Sequence, residues 1–178
     1  MNIALLGLPG AGKTTVGAIL AQRLNLHHLA LGDLLRQQSH ENIDLRDALA
    51  RGDMAPESLV EKLIGRAASP AGVVLDGFPR HAAQLPLALQ TFPGLRLALL
   101  DVDLSVARSR IASRSSIERP EDSPHVLDAR MRLAHAQLAD LEEAAGPHVL
   151  WRIGGNASVR EIVDELLCRI DRVERSKD

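Results

Sequence analysis

The chain has 178 residues, 46% of them hydrophobic but only 2% aromatic, and a formal net charge of -2. That suffices for one domain with an aliphatic core of Leu, Ile, Val and Ala, while the near-balanced charge excludes a general attraction to nucleic acid or anionic membrane. The single Cys168 excludes an internal disulfide and a cysteine metal cage. No apolar run approaches the ~20 residues of a membrane span. The first strand pattern begins at once, without a charged leader, so a cytoplasmic, reducing setting is the default expectation. Cys168 falls within a helical pattern and is expected to be a small core residue.

Asn2–Leu6 reads as a buried strand. Gly7 to Thr14, Gly-Leu-Pro-Gly-Ala-Gly-Lys-Thr, fits G-x-x-x-x-G-K-[ST], and Val16, Leu20 and Leu24 follow at helical spacing. Strand, glycine loop and helix in that order make a phosphate site. Gly7, Gly10 and Gly12 let the backbone curl so that N–H groups converge, and the helix adds its positive N-terminal end. Lys13 can reach the β- and γ-phosphates and the Thr14 hydroxyl can ligate Mg²⁺. In a plain turn the lysine and threonine would have no role.

Leu26–Leu31 is a short second strand; the adjacent His27 and His28 fall on opposite faces and do not make a metal pair. Gly32-Asp-Leu-Leu-Arg36 opens a helix with Asp33 near its start. Asp44–Arg51 is a short helix closed by Gly52, Asp53-Met-Ala a loop, and Pro56 begins a helix striped by Leu59, Leu63 and Ala67 with Val60 and Ile64 beside them. Residues of about 32–64 thus form a helical excursion between strands two and three. Gly72–Asp76 is the third strand. A carboxylate at the carboxyl end of such a strand faces the ligand crevice, and near a P-loop Asp76 is placed to hold Mg²⁺ through water. Gly77-Phe-Pro-Arg80 follows, then Gln84 at the start of a helix stopped by Pro93-Gly94. Leu95–Val102 is the fourth strand. The helix from Ser105 carries Arg110 and Arg114 at i, i+4. A short polar stretch leads to a helix from Ser123 to Ala144, striped by Leu127, Met131, Ala134, Leu138 and Leu141, with Arg130 at the stripe's edge. Val149–Ile153 is the fifth strand, Gly154–Ser158 a loop, and Val159, Ile162, Val163, Leu166 and Ile170 mark a last helix that frays after about Arg172. The pattern predicts an α/β, P-loop NTPase-like fold: a five-stranded parallel sheet flanked by helices. The P-loop, Asp76 and the Gly154 loop fall at its ligand-binding edge.

The P-loop, Gly32-Asp-Leu-Leu-Arg36, Asp76-Gly-Phe-Pro-Arg80 with Gln84, Arg110 with Arg114, and Arg119-Pro-Glu-Asp122 with Arg130 together resemble adenylate kinase and its nucleoside-monophosphate kinase relatives. The resemblance runs over nearly the whole chain in the family's order, and the Asp-Gly-Phe-Pro-Arg string is its most specific part. It implies a single P-loop kinase domain, with a core of about 1–31, 65–114 and 120–178, an NMP-binding excursion of about 32–64 and a short lid of about 114–120. It further implies transfer of the γ-phosphoryl of Mg-ATP to AMP. ATP would be held by Gly10, Ala11, Gly12, Lys13, Thr14, Thr15, Arg110, Arg114 and the backbone near Ala157. The acceptor would meet Leu31, Arg36, Asp53, Met54, Ala55, Gly77, Phe78, Pro79 and Arg80, with Gln84 reading its base. Arg119 and Arg130 would bridge both nucleotides, and Thr14 and Asp76 would serve Mg²⁺. The family's adenylate kinases usually carry Thr where this chain has Leu31, and an aspartate pair where it has Glu121-Asp122; the lid carries no zinc cysteines. The implied enzyme is a monomer acting on small nucleotides, not on nucleic acid or membrane. The alternatives are a kinase of another (d)NMP or specialised nucleotide, and a nucleotide-binding regulator without turnover.

The residue chemistry agrees with the resemblance. A monophosphate acceptor is already ionised near neutral pH, its second pKa being roughly 6, so no catalytic base is needed. The task is to bring two polyanions together and stabilise charge on the transferring group. Lys13, Arg80, Arg110, Arg114, Arg119 and Arg130 are the candidates for that electrostatic work, arginine because its planar fork gives two bonds to one phosphate.

Overall fold

Five short aliphatic runs align in parallel as one sheet in the order β2–β3–β1–β4–β5. They are β1 Asn2–Leu6, β2 His27–Ala30, β3 Val73–Asp76, β4 Arg96–Asp101 and β5 Leu150–Gly154. The computed structural model describes residues 1–66, 71–113, 124–146 and 149–175. In β3, and in β1 and β4 away from their ends, every residue is buried, as expected where helices cover both faces of a parallel sheet. The edge strands β2 and β5 are more exposed. Side-chain alternation splits the core in two. Ile3, Leu5, Val74, Ala98 and Leu100 pack on one face; Ala4, Leu6, Val73, Leu75, Leu97 and Leu99 pack on the other.

The first face is covered by α1 (Lys13–Leu24), α6 (Leu104–Ala112) and α8 (Val159–Arg175). Helices α2 (Leu31–Ser39), α4 (Glu57–Arg66) and α5 (Leu85–Thr91) cover the second, together with Leu45 and Leu49 of α3 (Ile43–Arg51). The long α7 (Pro124–Ala145) serves both, through Leu127 and Met131 on one side and Leu141 on the other. Local chemistry sets several ends. The Asn42 side chain accepts from the Leu45 N–H at 2.9 Å to start α3, and Gly52 ends it with φ 81°. Ser158 and Glu161 cap α8 reciprocally, at 2.9 and 3.3 Å.

The elements match the sequence reading, with three differences. Leu31, expected to end the second strand, opens α2 instead; Gln84 stands at a helix start as expected, closing the 3₁₀ turn Ala82–Gln84 that runs into α5 at Leu85, with a proline in its first turn. Cys168 is exposed, not in the core. The buried stripe of α8 is Ile162, Val163, Leu166 and Ile170, and position 168 lies about 200° round the helix from Leu166. Helix α8 also continues to Arg175, past the expected fraying point. Ala67, the lid at about 114–120, Arg114, Arg119 and Glu121-Asp122 lie outside the described residues. Among those described, no helix is long and apolar enough to cross a membrane.

Candidate active site

Strand β1 lies between β3 and β4, so the loop leaving it opens where the connections diverge to either side, the usual ligand crevice of such sheets. The P-loop is a tight turn here. The Ala11 N–H donates to the Leu8 carbonyl at 3.0 Å, and Lys13 Nζ donates back to the Gly7 and Leu8 carbonyls at 2.9 and 3.0 Å. Gly10 has φ 84°, and a β-carbon there would stand 2.3 Å from the Ala107 carbonyl oxygen of α6. Only glycine satisfies both conditions. Thr14 Oγ1 donates to Asp76 Oδ2 at 2.5 Å. Asp76 pairs with Leu5 across the sheet, so strand register delivers the carboxylate to the loop.

Beside the loop lies a cleft of about 180 Å³ whose lining includes Lys13, Arg36, Arg80 and Arg130. Each cation comes from a different element: the start of α1, α2, the loop after β3, and α7. Arg36 pairs with Asp33, one turn back on α2. Arg80 Nε donates to the Gly77 carbonyl at 3.0 Å. Burial foremost, and next the Arg130 guanidinium, push Arg80 below the ordinary arginine pKa; Asp76 pulls it back up and Arg36 pushes it further down. Asp53, Met54, Gly77 and Pro79 also line the cleft. Leu31 and Phe78 are fully buried and Ala55 nearly so; all three belong to the core under the excursion.

Gln84 lies behind Arg80 and is only 3% exposed. Its Oε1 accepts from the Arg80 backbone N–H at 2.8 Å, and its Nε2 donates to both oxygens of Glu57, at 3.2 and 3.0 Å. His81 Nε2 meets Glu57 Oε1 at 2.9 Å. Burial alone would raise the Glu57 carboxyl, but bonds from Gln84 and His81, then the charges of His81 and Arg80, carry it below the ordinary carboxylate range. Sequence reasoning missed Glu57 and His81. Both look like surface residues until the fold brings α4 against the Arg80 loop. It also missed Leu133, Ala134 and Gln137 of α7, which line the cleft. These had a signal, since they follow Arg130 at i+3, i+4 and i+7, on one helical face.

On the other side of the P-loop, Arg110 Nη1 donates to the Gly155 carbonyl at 2.9 Å and to Ala11 at 3.4 Å, while Nη2 donates to Ala157 at 3.4 Å. Arg110, Ala11 and Ala157, three expected donor-side residues, are therefore neighbours. Asn156 ties this loop to the start of α6: its Oδ1 accepts from the Asp103 N–H at 3.0 Å and its Nδ2 donates to the Asp103 carboxylate at 2.9 Å.

A family model described as an AAA domain matches residues 6–128. Adenylate kinase 1 of Nostoc sp. is 31% identical over 93% of this chain and 96% of that protein. The adenylate kinase of Xanthomonas campestris pv. campestris is 30% identical over 93% of this chain and 97% of that protein. Among solved structures, a gluconokinase from Sinorhizobium meliloti aligns with a TM-score of 0.71 over 98% of this chain and 94% of that one, at 23% identity, a likeness of fold. About 30% identity over nearly the full length of two adenylate kinases, joined to the P-loop and the basic cleft beside it, makes this chain a phosphotransferase of the adenylate kinase family.

Proposed function

We propose that the enzyme transfers the γ-phosphoryl of Mg-ATP to AMP, giving two ADP. The observation that carries this reading is the convergence of Lys13, Arg36, Arg80 and Arg130 on one cleft beside the Thr14–Asp76 pair. Those four cations suit a monophosphate lying head-on to a triphosphate held in the P-loop. Arg36 and Arg80 hold the acceptor phosphate, Arg130 spans both nucleotides, and Lys13 takes the β- and γ-phosphates. Arg110 and the Gly155–Ala157 loop sit on the ATP side, and Gly10 to Thr15 cradle its phosphates. By the family resemblance, Arg114 and Arg119, in the lid segment at about 114–120, act on the same transferring group. The excursion of about 32–64 closes on the acceptor, with Gln84 reading its base and Asp53 to Ala55 beside it. Thr14 and Asp76 offer adjacent hard oxygen donors, the kind Mg²⁺ takes alongside water and phosphate oxygens. When bound, the ion neutralises charge on the β- and γ-phosphate oxygens. Closure excludes water and so limits wasteful hydrolysis. The enzyme acts on free nucleotides as a cytoplasmic monomer.

A second reading keeps the phosphotransfer and changes the acceptor base. It is favoured by Leu31, whose fully buried side chain brings no hydroxyl to the site. Coupled assays with AMP, CMP, UMP, GMP and dAMP as acceptors decide between the two. Preference for AMP supports the first; a clear preference for a pyrimidine or for GMP defeats it.

A further inference from the structure

We propose that Glu57 determines the base preference of the acceptor site by fixing which way round the Gln84 amide is held. The inference rests on the reading that Gln84 faces the acceptor base. It starts from donor and acceptor counting. An ionised carboxylate can only accept and a backbone N–H can only donate. Glu57 presents both oxygens to one end of the Gln84 amide, at 3.2 and 3.0 Å, and the Arg80 N–H presents itself to the other at 2.8 Å. Only one orientation satisfies both: amide NH₂ toward Glu57, carbonyl oxygen toward Arg80. Turned over, the carbonyl would face the carboxylate and the NH₂ would face an N–H, losing all of these bonds in a nearly buried place. His81, at 2.9 Å from Glu57 Oε1, holds the carboxylate from a further direction.

An amide has two donor hydrogens and two acceptor lone pairs. With Glu57 and Arg80 served, Gln84 keeps one N–H and one lone pair in fixed order. A base edge with an exocyclic amino group beside an unprotonated ring nitrogen complements that order. The edge of a 6-oxo purine, with a carbonyl beside a ring N–H, sets donor against donor and acceptor against acceptor. Glutamine alone could turn over and accept either edge. Glu57 removes that choice, although it reaches Gln84 from the excursion helix and has no need to touch the nucleotide.

AMP and IMP differ only along this edge, so the full-length enzyme is assayed with each as acceptor and ATP as donor. Glu57→Leu is expected to lower the AMP-to-IMP ratio of kcat/KM about 10-fold, through the acceptor KM and with the ATP KM unchanged. Glu57→Gln, whose amide oxygen can still accept from Gln84, is expected to keep the ratio within about 3-fold of wild type. Glu57 is half-exposed, and circular dichroism of both variants establishes that they fold. A ratio unchanged in Glu57→Leu but collapsed in Gln84→Leu overturns the role of Glu57 while sparing base reading by Gln84. A ratio unchanged in Gln84→Leu as well overturns the acceptor-base reading itself. Equal losses for both acceptors, with the ATP KM moving too, reduce Glu57 to a fold contact and also overturn the proposal.

Discussion

The two sides of the cleft are built differently. On the donor side the parts are close in sequence. Gly7, Leu8, Ala11 and Lys13 satisfy one another within a few residues, while Asp76, Arg110 and the Gly155–Ala157 loop are brought from afar. On the acceptor side Arg36 and Arg80 each have a local bond, to Asp33 and to Gly77, but the cations themselves are brought together from distant segments. Arg36, Arg80 and Arg130 come from three elements, and the bonds behind them run from Glu57 on α4 through Gln84 to the Arg80 backbone. A backbone-built anion site can be carried whole in a short motif. A side-chain-built site exists only once the helices are packed.

That contrast can be tested by substitution. Lys13→Met should lower turnover by on the order of 10³-fold or more with the fold intact, because it removes the one cation fixed within the loop. Arg80→Ala should cost a similar factor; near-normal turnover in either variant refutes the assigned role. Burial depresses the Arg80 pKa, so the charged form is disfavoured by folding at every pH below its folded pKa, and physiological pH never relieves that cost. Set against its bond to the Gly77 carbonyl, that cost leaves little net effect, so Arg80→Leu should lose turnover with little change in melting temperature; a fall of several degrees in a thermal melt would show that Arg80 stabilises the fold.

Gly52→Ala should have a smaller effect. Gly52 has φ 81°, and a β-carbon there would stand 2.7 Å from Val126 and 2.9 Å from Arg130 on α7. Displacing Arg130, proposed to span both nucleotides, should lower turnover a few-fold with the acceptor KM rising more than the ATP KM, as steady-state kinetics would reveal; a rise in the ATP KM alone would refute its place in the acceptor cleft. The smallest effect expected is one of pH. The Glu57 pKa lies below its ordinary 4.5, so its contribution is complete above that value and is lost as pH falls through the folded pKa. The AMP-to-IMP ratio of acceptor KM, in which the titration of the phosphate near roughly 6 cancels, should be flat from neutrality down to about pH 5 and climb only below the ordinary carboxylate range. A rise between pH 6 and 7 would point to a different group.

The same contrast explains what could be read without coordinates. Strand periodicity, the P-loop and Gly52 as a helix stop were legible because each depends on neighbours within one turn or one strand. Cys168 was misjudged because the preference of free cysteine for burial was followed, although the stripe through Ile162, Val163, Leu166 and Ile170 already leaves position 168 on another face. Gln84 was picked out through the family resemblance carried by Asp76-Gly-Phe-Pro-Arg80, but neither its burial nor its partner Glu57 could be inferred, since nothing in the α4 sequence announces what it will face.

The sequence by itself determined the alternating strands and helices, the phosphate loop and the stock of arginines, all consequences of backbone preference and short-range spacing. Only the tertiary structure decided that Asp76 reaches Thr14, that four cations share one cleft and that Glu57 holds Gln84. Those depend on sheet register and helix packing between segments tens of residues apart, which no local pattern encodes.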